Sequence, residues 1–515
     1  MTSSRVPTAV AYHELTKYSE QELLRNQRSL DFARKPSVWK TFPPEDARVS
    51  LVPWLPFPKD PFTGRPLETI PLADDGGVGL PEISRLLFFT YGMTAAVRYP
   101  NEVHLLRAAP SAGALYPTEI YVATRGVPGL VDGVHDYQVK DHSLVTMWEG
   151  DFWQDFRRDA YGHEAIDASR VLILFSGVFE RSAWRYHERA YRRVLLDTGH
   201  ALGNLMAFAP EDDLLVYPIS GFCDAALNGL LFLDQEEEGM LMVCAVARPS
   251  DLAGTSVRRS SVCPSPMTRV SLADVDEHRL IQRLHDASAI PPGDAFSEGR
   301  LPDDTPLSLL CEGAAETVLG TDVPTFHVPK AILSRRSTRA YSGGTMDRKT
   351  LAGILAYGYE VAVPPEGLED AGLPRVFDPC LIETYVIVHG VEDVMSGAYA
   401  YVPRTGTLRL IRAGDFRGRA QHFCLGQELG STASAVVIHA SDLPRAIEKY
   451  GERAYRYLHL DAGHLGQRMN VAATALGAGA SGIGGFFDDE VNALLGLPLD
   501  KIVVYITTLG LPSEG

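Results

Sequence analysis

The sequence predicts an α+β protein made of two copies of one domain. Two segments, 186–203 and 450–467, align without a gap at a spacing of 264 residues. The same spacing relates positions between 119 and 228 to positions between 383 and 492, and self-similarity at a constant spacing indicates a duplicated unit. Helical and strand patterns alternate in both copies, but the strands include local hairpins, which favours α+β over a doubly wound α/β fold.

Each copy carries the same predicted elements in the same order. Runs rich in Ile, Tyr and Val predict strands, and longer stretches with apolar residues at helical spacing predict helices. In chain order the elements are a helix (81–92; 347–358), a strand (119–124; 383–389), a hairpin (133–145; 397–410), a buried strand (171–175; 435–439), a long helix with the motif D-x-G-H, a glycine-rich loop and a final strand (240–246; 502–509).

The repeat sets the domain boundaries. We predict a first domain over 79–250 and a second over 329–515. An N-terminal extension, 1–78, is aromatic and proline-rich in its second half and is expected to pack on the first domain. A connector, 251–328, is rich in Pro, Ser, Asp and Gly, with one helical stretch near 274–286, and is expected to wrap the surface. A lid or a peptide-docking arm is the alternative role for this connector.

Composition excludes several classes of partner. The chain has 515 residues, is 45% hydrophobic and 22% charged, and carries a net charge of −17. A charge of this sign argues against binding duplex nucleic acid or an anionic membrane surface. The 6 cysteines show neither a C-x-x-C motif nor metal-ligand spacing, and the most apolar stretches are too short to span a bilayer. We therefore expect a cytoplasmic protein without a metal site.

Three clusters have the composition of a cofactor site. The segment RRSTR supplies Arg335, Ser337 and Arg339, which suit a phosphate because arginine offers forked donors. A small-residue loop lets the backbone approach a flat ligand, and a glycine-rich loop presents backbone N–H groups. Each cluster alone is equally compatible with a solvated linker or a tight turn. The two loops contribute Pro110, Ser111, Ala112, Gly113 and Leu115, and Gly482, Gly484 and Gly485.

Two further features bear on proton transfer and on metal binding. Lys449 and Tyr450 are adjacent, and they serve as base and proton relay only if their pKa values are shifted. The alternative is a surface lysine beside a half-buried tyrosine. The D-x-G-H motifs place Asp197 with His200, and their repeat partners, on one helix face, but no third metal ligand accompanies them. We expect these pairs to belong to a buried polar network or a domain interface.

Taken together, these motifs resemble those of the nitroreductase-like flavoproteins, and among them the SagB-type azoline dehydrogenases. The stretch RAAPSAGALYPTEIYV at 107–122 resembles the flavin loop of that group. RRSTRAY at 335–341 resembles its arm for the FMN phosphate, and the Lys449-Tyr450 pair is similar to the dyad implicated in azoline oxidation. The resemblance implies an α+β fold that dimerises with FMN at the interface. It also implies oxidation of thiazoline or oxazoline rings to thiazoles or oxazoles in a precursor peptide, with a cyclodehydratase partner on a separate chain.

The two copies lack complementary parts of this site. In the resembled family, the arm and the loop at one flavin come from different subunits. The chain is therefore predicted to be an intrachain pseudo-dimer with one intact FMN site and one FMN per chain, while homodimerisation of whole chains is left open. The arm residues Arg335, Ser337 and Arg339 align with Thr69, Pro71 and Ala73, and the loop residues 110–113 align with Pro374, Arg375, Val376 and Phe377.

The sequence leaves open which of two residue pairs faces the flavin. The first copy has Arg185-Tyr186 where the second has Lys449-Tyr450, and an always-charged arginine is a poor base. We predict that Lys449 and Tyr450 face the flavin, because they belong to the copy with the intact arm. Two other functions stay open. One is a NAD(P)H-dependent nitro- or quinone reductase, which needs no such pair, and the other is a flavin-free scaffold that presents the precursor peptide to a cyclodehydratase.

Overall fold

The duplication predicted from the sequence is visible in a computed structural model of the chain. Within the described residues, two seven-stranded sheets combine with helices, which confirms the α+β class and the two copies. Two further sheets have two strands each. The structure describes residues 5–25, 29–43, 46–68, 70–72, 75–98, 103–252, 261–272, 275–292, 314–360, 377–378 and 381–513.

Strands form the buried framework of each domain. The central strands of the two large sheets are buried along most of their length, as their Val, Ile and Tyr content predicts. The strands are β1 (Arg5–Pro7), β2 (Arg48–Ser50), β3 (Met93–Arg98), β4 (Val103–Arg107), β5 (Thr118–Thr124), β6 (Gly133–Gln138), β7 (Ser143–Glu149), β8 (Val171–Val178), β9 (Leu215–Ile219), β10 (Glu238–Ala247), β11 (Arg269–Ser271), β12 (Glu316–Val318), β13 (Glu383–Val388), β14 (Gly397–Val402), β15 (Thr407–Ala413), β16 (Ala435–Asp442), β17 (Gly479–Ile483) and β18 (Lys501–Gly510).

The helices lie between these strands along the chain. None of the helices in the described part of the chain is long and apolar enough to cross a membrane. They are α1 (Thr8–Leu15), α2 (Glu20–Arg25), α3 (Leu80–Tyr91), α4 (Trp153–Asp159), α5 (Glu164–Asp167), α6 (Phe179–Tyr186), α7 (Ala190–Phe208), α8 (Asp224–Leu230), α9 (Leu280–Ala287), α10 (Val328–Ser334), α11 (Arg348–Tyr359), α12 (Arg417–Phe423), α13 (Leu429–Thr432), α14 (Leu443–Tyr450), α15 (Ala454–Ala475) and α16 (Asp488–Leu495).

Both large sheets have the same strand order. The first is β2-β7-β6-β5-β8-β10-β9 and the second is β12-β15-β14-β13-β16-β18-β17. Their neighbouring strands pair antiparallel. Strands β5 to β10 correspond one by one to β13 to β18 at the repeat spacing. The edge strands β2 and β12 lie in the predicted extension and connector, so both of these segments complete a sheet.

The long helices α7 and α15 cross at the glycines of the two D-x-G-H motifs. A Cβ atom at Gly199 would lie 2.3 Å from the carbonyl oxygen of Leu460, and one at Gly463 would lie 2.3 Å from that of Leu196. Only glycine permits this approach of two helix backbones. The two domains therefore pack as an intrachain pseudo-dimer, as predicted, with α7 and α15 at its centre.

Two equivalent buried charge clusters join the domains on either side of this crossing. Asp488 of the second domain accepts hydrogen bonds from Arg189 and Arg192 of the first, each at 2.8 Å. Its repeat partner, Asp224, accepts from Arg453 and Arg456, each at 2.6 Å. Each cluster thus places one carboxylate of one domain against two cations of the other. These contacts fix the relative position of the domains.

The N-terminal extension and the connector contact both domains, which corrects two expectations. The backbone N–H of Ala9 in α1 donates to Glu452 of the second domain at 2.7 Å, while Arg192 of the first domain donates to the His13 carbonyl at 2.8 Å. The extension therefore does not pack on the first domain alone. In the connector, Ser265 is buried and its N–H donates to the Tyr450 carbonyl at 2.9 Å, so part of this segment is interior rather than surface chain.

Candidate active site

A cavity of about 850 Å³ lies between the two domains. The small-residue loop comes from the first domain, whereas the arginine arm and the glycine-rich loop come from the second. Because the repeat units pack around α7 and α15, segments more than two hundred positions apart in the sequence meet here. The cavity brings together the predicted residues Pro110, Ser111, Ala112 and Gly113, Arg335, Ser337 and Arg339, and Gly482, Gly484 and Gly485.

The small-residue loop is held in place by the aspartate of the first D-x-G-H motif. The Ser111 hydroxyl donates to Asp197 at 2.6 Å, and the Ala112 N–H donates to the same carboxylate at 3.2 Å. Gly113 has a φ of +65°, which only glycine adopts at low cost. The Ser111 hydroxyl thus braces the loop from the cavity wall. Leu115, also predicted to contact the cofactor, is buried beside Gly113 and does not belong to the described lining of the cavity.

The arginine arm reaches across the domain interface. Arg335 is 3% exposed, and its Nε donates to the carbonyl of Ala108 at 3.0 Å, beside the small-residue loop. Burial lowers the pKa of its guanidinium to about 10, so the group stays cationic at neutral pH. Within the described residues, its Nη1 has no hydrogen-bond partner. Ser337 and Arg339 follow along the same wall of the cavity.

The lining of the cavity is strongly cationic although the chain as a whole is acidic. Among the described residues, five arginines line it, against one acidic residue, Asp197. Arg193 is 4% exposed, stacks 3.9 Å from the ring centre of Tyr186, and has an Nη1 atom without a partner in the described part of the chain. A buried cation with an unused donor is costly unless an anion completes it. The site is therefore built for a negatively charged ligand.

The structure corrects the predicted position of the Lys-Tyr pair. Lys449 and Tyr450 do not line this cavity; Arg185 and Tyr186 line it instead. The Lys449 Nζ and the Tyr450 hydroxyl both donate to Asp378 Oδ2, at 2.5 and 2.7 Å. Burial, and then the Asp378 charge, raise the pKa of Tyr450 well above its ordinary value. Each pair lies beside the matching segment of its own copy, Tyr186 beside Gly113 and Tyr450 against Asp378, so the Lys-Tyr pair lies at the other repeat-related place.

The place related to this cavity by the repeat has a different chemistry. Gly113 is replaced there by Phe377, and Arg193 by Tyr457, and the two aromatic rings are 5.6 Å apart. The Tyr457 hydroxyl donates to the carbonyl of Cys263 in the connector at 2.8 Å. A glycine and a cation are thus replaced by two aromatic rings in contact. The aligned residues Thr69, Ala73 and 374–376 lie outside the described residues.

The histidine of the first D-x-G-H motif positions a tyrosine on the cavity wall. The Tyr505 hydroxyl lies 3.1 Å from Nε2 of His200, whose Nδ1 lies 2.7 Å from the Leu196 carbonyl. Burial lowers the pKa of His200 to about 4, so the ring is neutral. Nδ1 therefore donates to the carbonyl, and Nε2 accepts from the tyrosine. The motif belongs to a buried polar network, as predicted, and no catalytic use of it is required.

Comparison with known proteins identifies the fold. The sequence model of the nitroreductase family matches residues 81–248 and 332–511, one match for each copy. The chain belongs to the nitroreductase family. A crystal structure of a protein from Anabaena variabilis, described as a nitroreductase, is 38% identical, covers 98% of this chain and 100% of its own, and superimposes with a TM-score of 0.86. The chain therefore shares its whole tandem architecture with that protein.

Two relatives of this chain are named for the processing of trifolitoxin and of microcin B17. The trifolitoxin-processing protein TfxB of Rhizobium leguminosarum bv. trifolii is 32% identical over 143 residues, 27% of this chain and 38% of TfxB. The microcin B17-processing protein McbC of Escherichia coli is 24% identical over 149 residues, 28% of this chain and 55% of McbC. The matched stretch thus spans about half or less of each of these two relatives.

The aspartate of the second D-x-G-H motif predicts that the stability of the chain depends on pH. Asp461 is buried and accepts from the N–H groups of Phe377 and Asp378, yet burial raises its pKa from 3.8 to about 7. A raised folded-state pKa stabilises the protein below the unfolded pKa, and this contribution is lost as the pH rises through about 7. Between pH 5 and 8, the wild type should lose about 2–3 kcal/mol relative to Asp461→Asn. Denaturant unfolding of both proteins checks this, and parallel pH profiles would contradict it.

Proposed function

We propose that this chain is an FMN-dependent dehydrogenase that oxidises thiazoline or oxazoline rings to thiazoles or oxazoles in a ribosomally made peptide. The observation that carries the proposal is the composite cavity, which combines the arginine arm of one domain with the small-residue loop of the other. The motifs at both places resemble those of azoline dehydrogenases, and two relatives are named for processing trifolitoxin and microcin B17. A cyclodehydratase that makes the azoline rings is the expected partner.

The residues of the cavity fit FMN. Arg335, Ser337 and Arg339 would hold the phosphate, because their donors come from one short arm and the buried Arg335 has an Nη1 atom still unpaired in the described structure. The flat ring system fits between the small-residue loop and the glycine-rich loop, where side chains are short or absent. A volume of about 850 Å³ is within the range of cofactor sites.

Bound FMN would supply the acceptor for the hydride that leaves the azoline ring. The chain itself must then take the accompanying proton. Tyr186 lies at the cavity with its hydroxyl beside Gly113, and burial raises its pKa while Arg193 and Arg185 oppose that effect. Arg185 remains charged and cannot act as the base. Because the raised pKa keeps the Tyr186 hydroxyl protonated, it would accept the ring proton only while passing its own proton to water in the cavity. We therefore assign Tyr186, rather than Lys449 or Tyr450, as the residue that binds the substrate ring and relays its proton to water.

The repeat provides a matched test of this assignment. Tyr186→Phe should lower kcat for a synthetic thiazoline peptide by about a hundredfold, as expected when a proton-transfer group is removed. Tyr450→Phe removes the equivalent hydroxyl from the other copy, where it contacts Asp378, and should leave kcat within about twofold. Lys449→Ala should behave like Tyr450→Phe. If Lys449→Ala retains bound FMN but loses most of its kcat, the assignment to Tyr186 is wrong and the Lys-Tyr pair is catalytic.

One observation favours a second candidate function. Arg185 stands at the cavity where an azoline dehydrogenase of the resembled type has a lysine, and a NAD(P)H-dependent nitro- or quinone reductase needs no lysine there. Purified holoprotein should be given either a thiazoline peptide with oxygen or NADH with a nitroarene. Turnover of the thiazoline peptide supports the dehydrogenase. Turnover of only the nitroarene would replace it by the reductase.

A further inference from the structure

We infer, taking the substrate chemistry from the proposed function, that the β3–β4 hairpin is the substrate-binding wall of this cavity and that Arg336 is the residue that positions it. The hairpin belongs to the first domain and Arg336 to the second. Neither the hairpin nor Arg336 is part of the cofactor-binding set described above.

One face of the hairpin overhangs the cavity. Strand β3 pairs with β4 and with neither large sheet. Val97 is opposite His104, and Ala95 is opposite Leu106, so these four residues share a face. Val97, His104 and Leu106 all line the cavity. Val103, opposite Arg98 on the other face, is 54% exposed and does not line it.

Arg336 ties the base of this hairpin to the arginine arm. Thr94 is the extra residue where the pairing register of β3 shifts, and its carbonyl accepts from Arg336 Nη2 at 3.2 Å. Arg336 Nη1 donates to the carbonyls of Leu333 and Arg335, at 3.0 and 2.6 Å. Bulges of this kind redirect a strand beside a functional site. The guanidinium thus donates to backbone carbonyls of both domains and joins the arm to the hairpin.

The adjacent Arg335 anchors the chain where it leaves the second strand. Its Nε donates to the carbonyl of Ala108, just after β4. Consecutive arginines of the arm therefore hold both ends of the hairpin base. An isolated two-stranded hairpin is marginally stable in water, so its orientation over the cavity depends on these anchors. A phosphate bound by the arm would therefore also stabilise the position of the hairpin that contacts the substrate.

The chemistry of this wall indicates what it binds. Val97 and Leu106 present aliphatic surface to the cavity, and Leu23 of α2 adds to the same lining. The charged groups of the cavity come from other segments, the arm and helices α6 and α7. The wall therefore suits a neutral, flat heterocycle with apolar flanking side chains, such as an azoline ring within an apolar peptide segment. Among the described residues of this face, which are Ala95, Val97, His104 and Leu106, none carries a permanent charge that would pair with a charged substrate.

Hydrogen exchange on the FMN-loaded protein tests the role of Arg336 independently of any substrate. In Arg336→Ala, amides of the described β3 and β4 strands should exchange about tenfold faster than in the wild type, while the FMN Kd changes by less than about twofold. Arg409→Ala, which removes a partly exposed arginine paired with Glu316 far from the cavity lining, is the control and should alter neither. Unchanged exchange would overturn the inference, as would an FMN loss equal to that of Arg335→Ala.

Matched valine variants test the wall itself. Val97→Ser should raise the KM for a thiazoline peptide about tenfold with kcat nearly unchanged, whereas Val103→Ser on the opposite face should change neither. Arg336→Ala should raise the KM in the same way, and Arg336→Lys should recover part of the loss. If the peptide is not turned over, the proposed function fails, and the same variants are measured with NADH and a nitroarene. If Val97→Ser leaves the KM unchanged in both assays, the proposal that this hairpin binds the substrate is refuted.

Discussion

Replacing Arg335 with alanine is expected to weaken FMN binding by about a hundredfold to a thousandfold. The guanidinium is buried at the cavity, and its Nη1 is unpaired in the described structure, so a bound phosphate would gain one or two charge-assisted hydrogen bonds from it. Such bonds contribute about 1.5–3 kcal/mol each, which gives an effect of this size. Equilibrium titration of the apoprotein with FMN, followed by flavin fluorescence, measures the change.

Two further variants show whether the loss comes from the site. Arg335→Lys keeps the positive charge but loses the planar guanidinium, whose separate N–H groups can bond Ala108 and the ligand at the same time. Its FMN affinity should therefore lie between those of the alanine variant and the wild type. Arg409→Ala should bind FMN like the wild type. If Arg335→Ala retained wild-type affinity with a folded apoprotein, the arm would not be the phosphate site.

Replacing Asp488 with alanine is expected to destabilise the protein by about 3–5 kcal/mol. Its carboxylate is buried between Arg189 and Arg192, and these cations lower its pKa against the effect of burial. Removing it leaves two buried cations uncompensated, the costliest way to break a buried ion pair. Denaturant unfolding of the apoprotein measures the loss, and a change below about 1 kcal/mol would mean that solvent reaches this cluster.

Substitution of Asp224, the repeat partner of Asp488, distinguishes an effect on protein stability from an effect on FMN binding. Asp224→Ala leaves Arg453 and Arg456 unpaired and should cost a similar amount of stability. Only the Asp488 cluster borders the cavity, because Arg189 stacks 4.4 Å from the ring centre of Tyr18, which lines it. Asp488→Ala should therefore also weaken FMN binding, whereas Asp224→Ala should not. Equal effects of both variants on FMN affinity would contradict this asymmetry.

The fold was largely predictable because the duplicated domain repeats its sequence pattern at a constant spacing. The constant spacing between Asp197 and Asp461 predicted two copies, and the observed strands β5 to β10 and β13 to β18 follow it. The edge strands β2 and β12 were not predicted, since each has only three residues and draws its pairing from a distant hairpin. The paths of the extension and connector were not predictable either, because their polar contacts reach partners such as Glu452 in the other half of the chain.

The sequence predicted those parts of the site that consist of contiguous motifs. It did not predict which of the two repeat-related residue pairs lines the cavity. The arm and the two glycine-containing loops meet at one cavity. The Lys449-Tyr450 pair was placed on the wrong side, because proximity in sequence to the arm does not reveal which copy's helix faces it. Arg193 was not predicted as a site residue. The alignment of the two copies could have indicated it, because its counterpart in the second copy is the uncharged Tyr457. The contact of Arg336 with Thr94 depends on a strand bulge that no local pattern indicates.

The stoichiometry of FMN tests the central claim most directly. The claim is that the two domains build one flavin site between them, with the arm from one and the small-residue loop from the other. Protein reconstituted with excess FMN and freed of unbound flavin should contain one FMN per chain by absorbance and amino-acid analysis, and Arg335→Ala treated in the same way should contain almost none. A ratio near two in the wild type would contradict the claim, because it would require a second site where Phe377 contacts Tyr457.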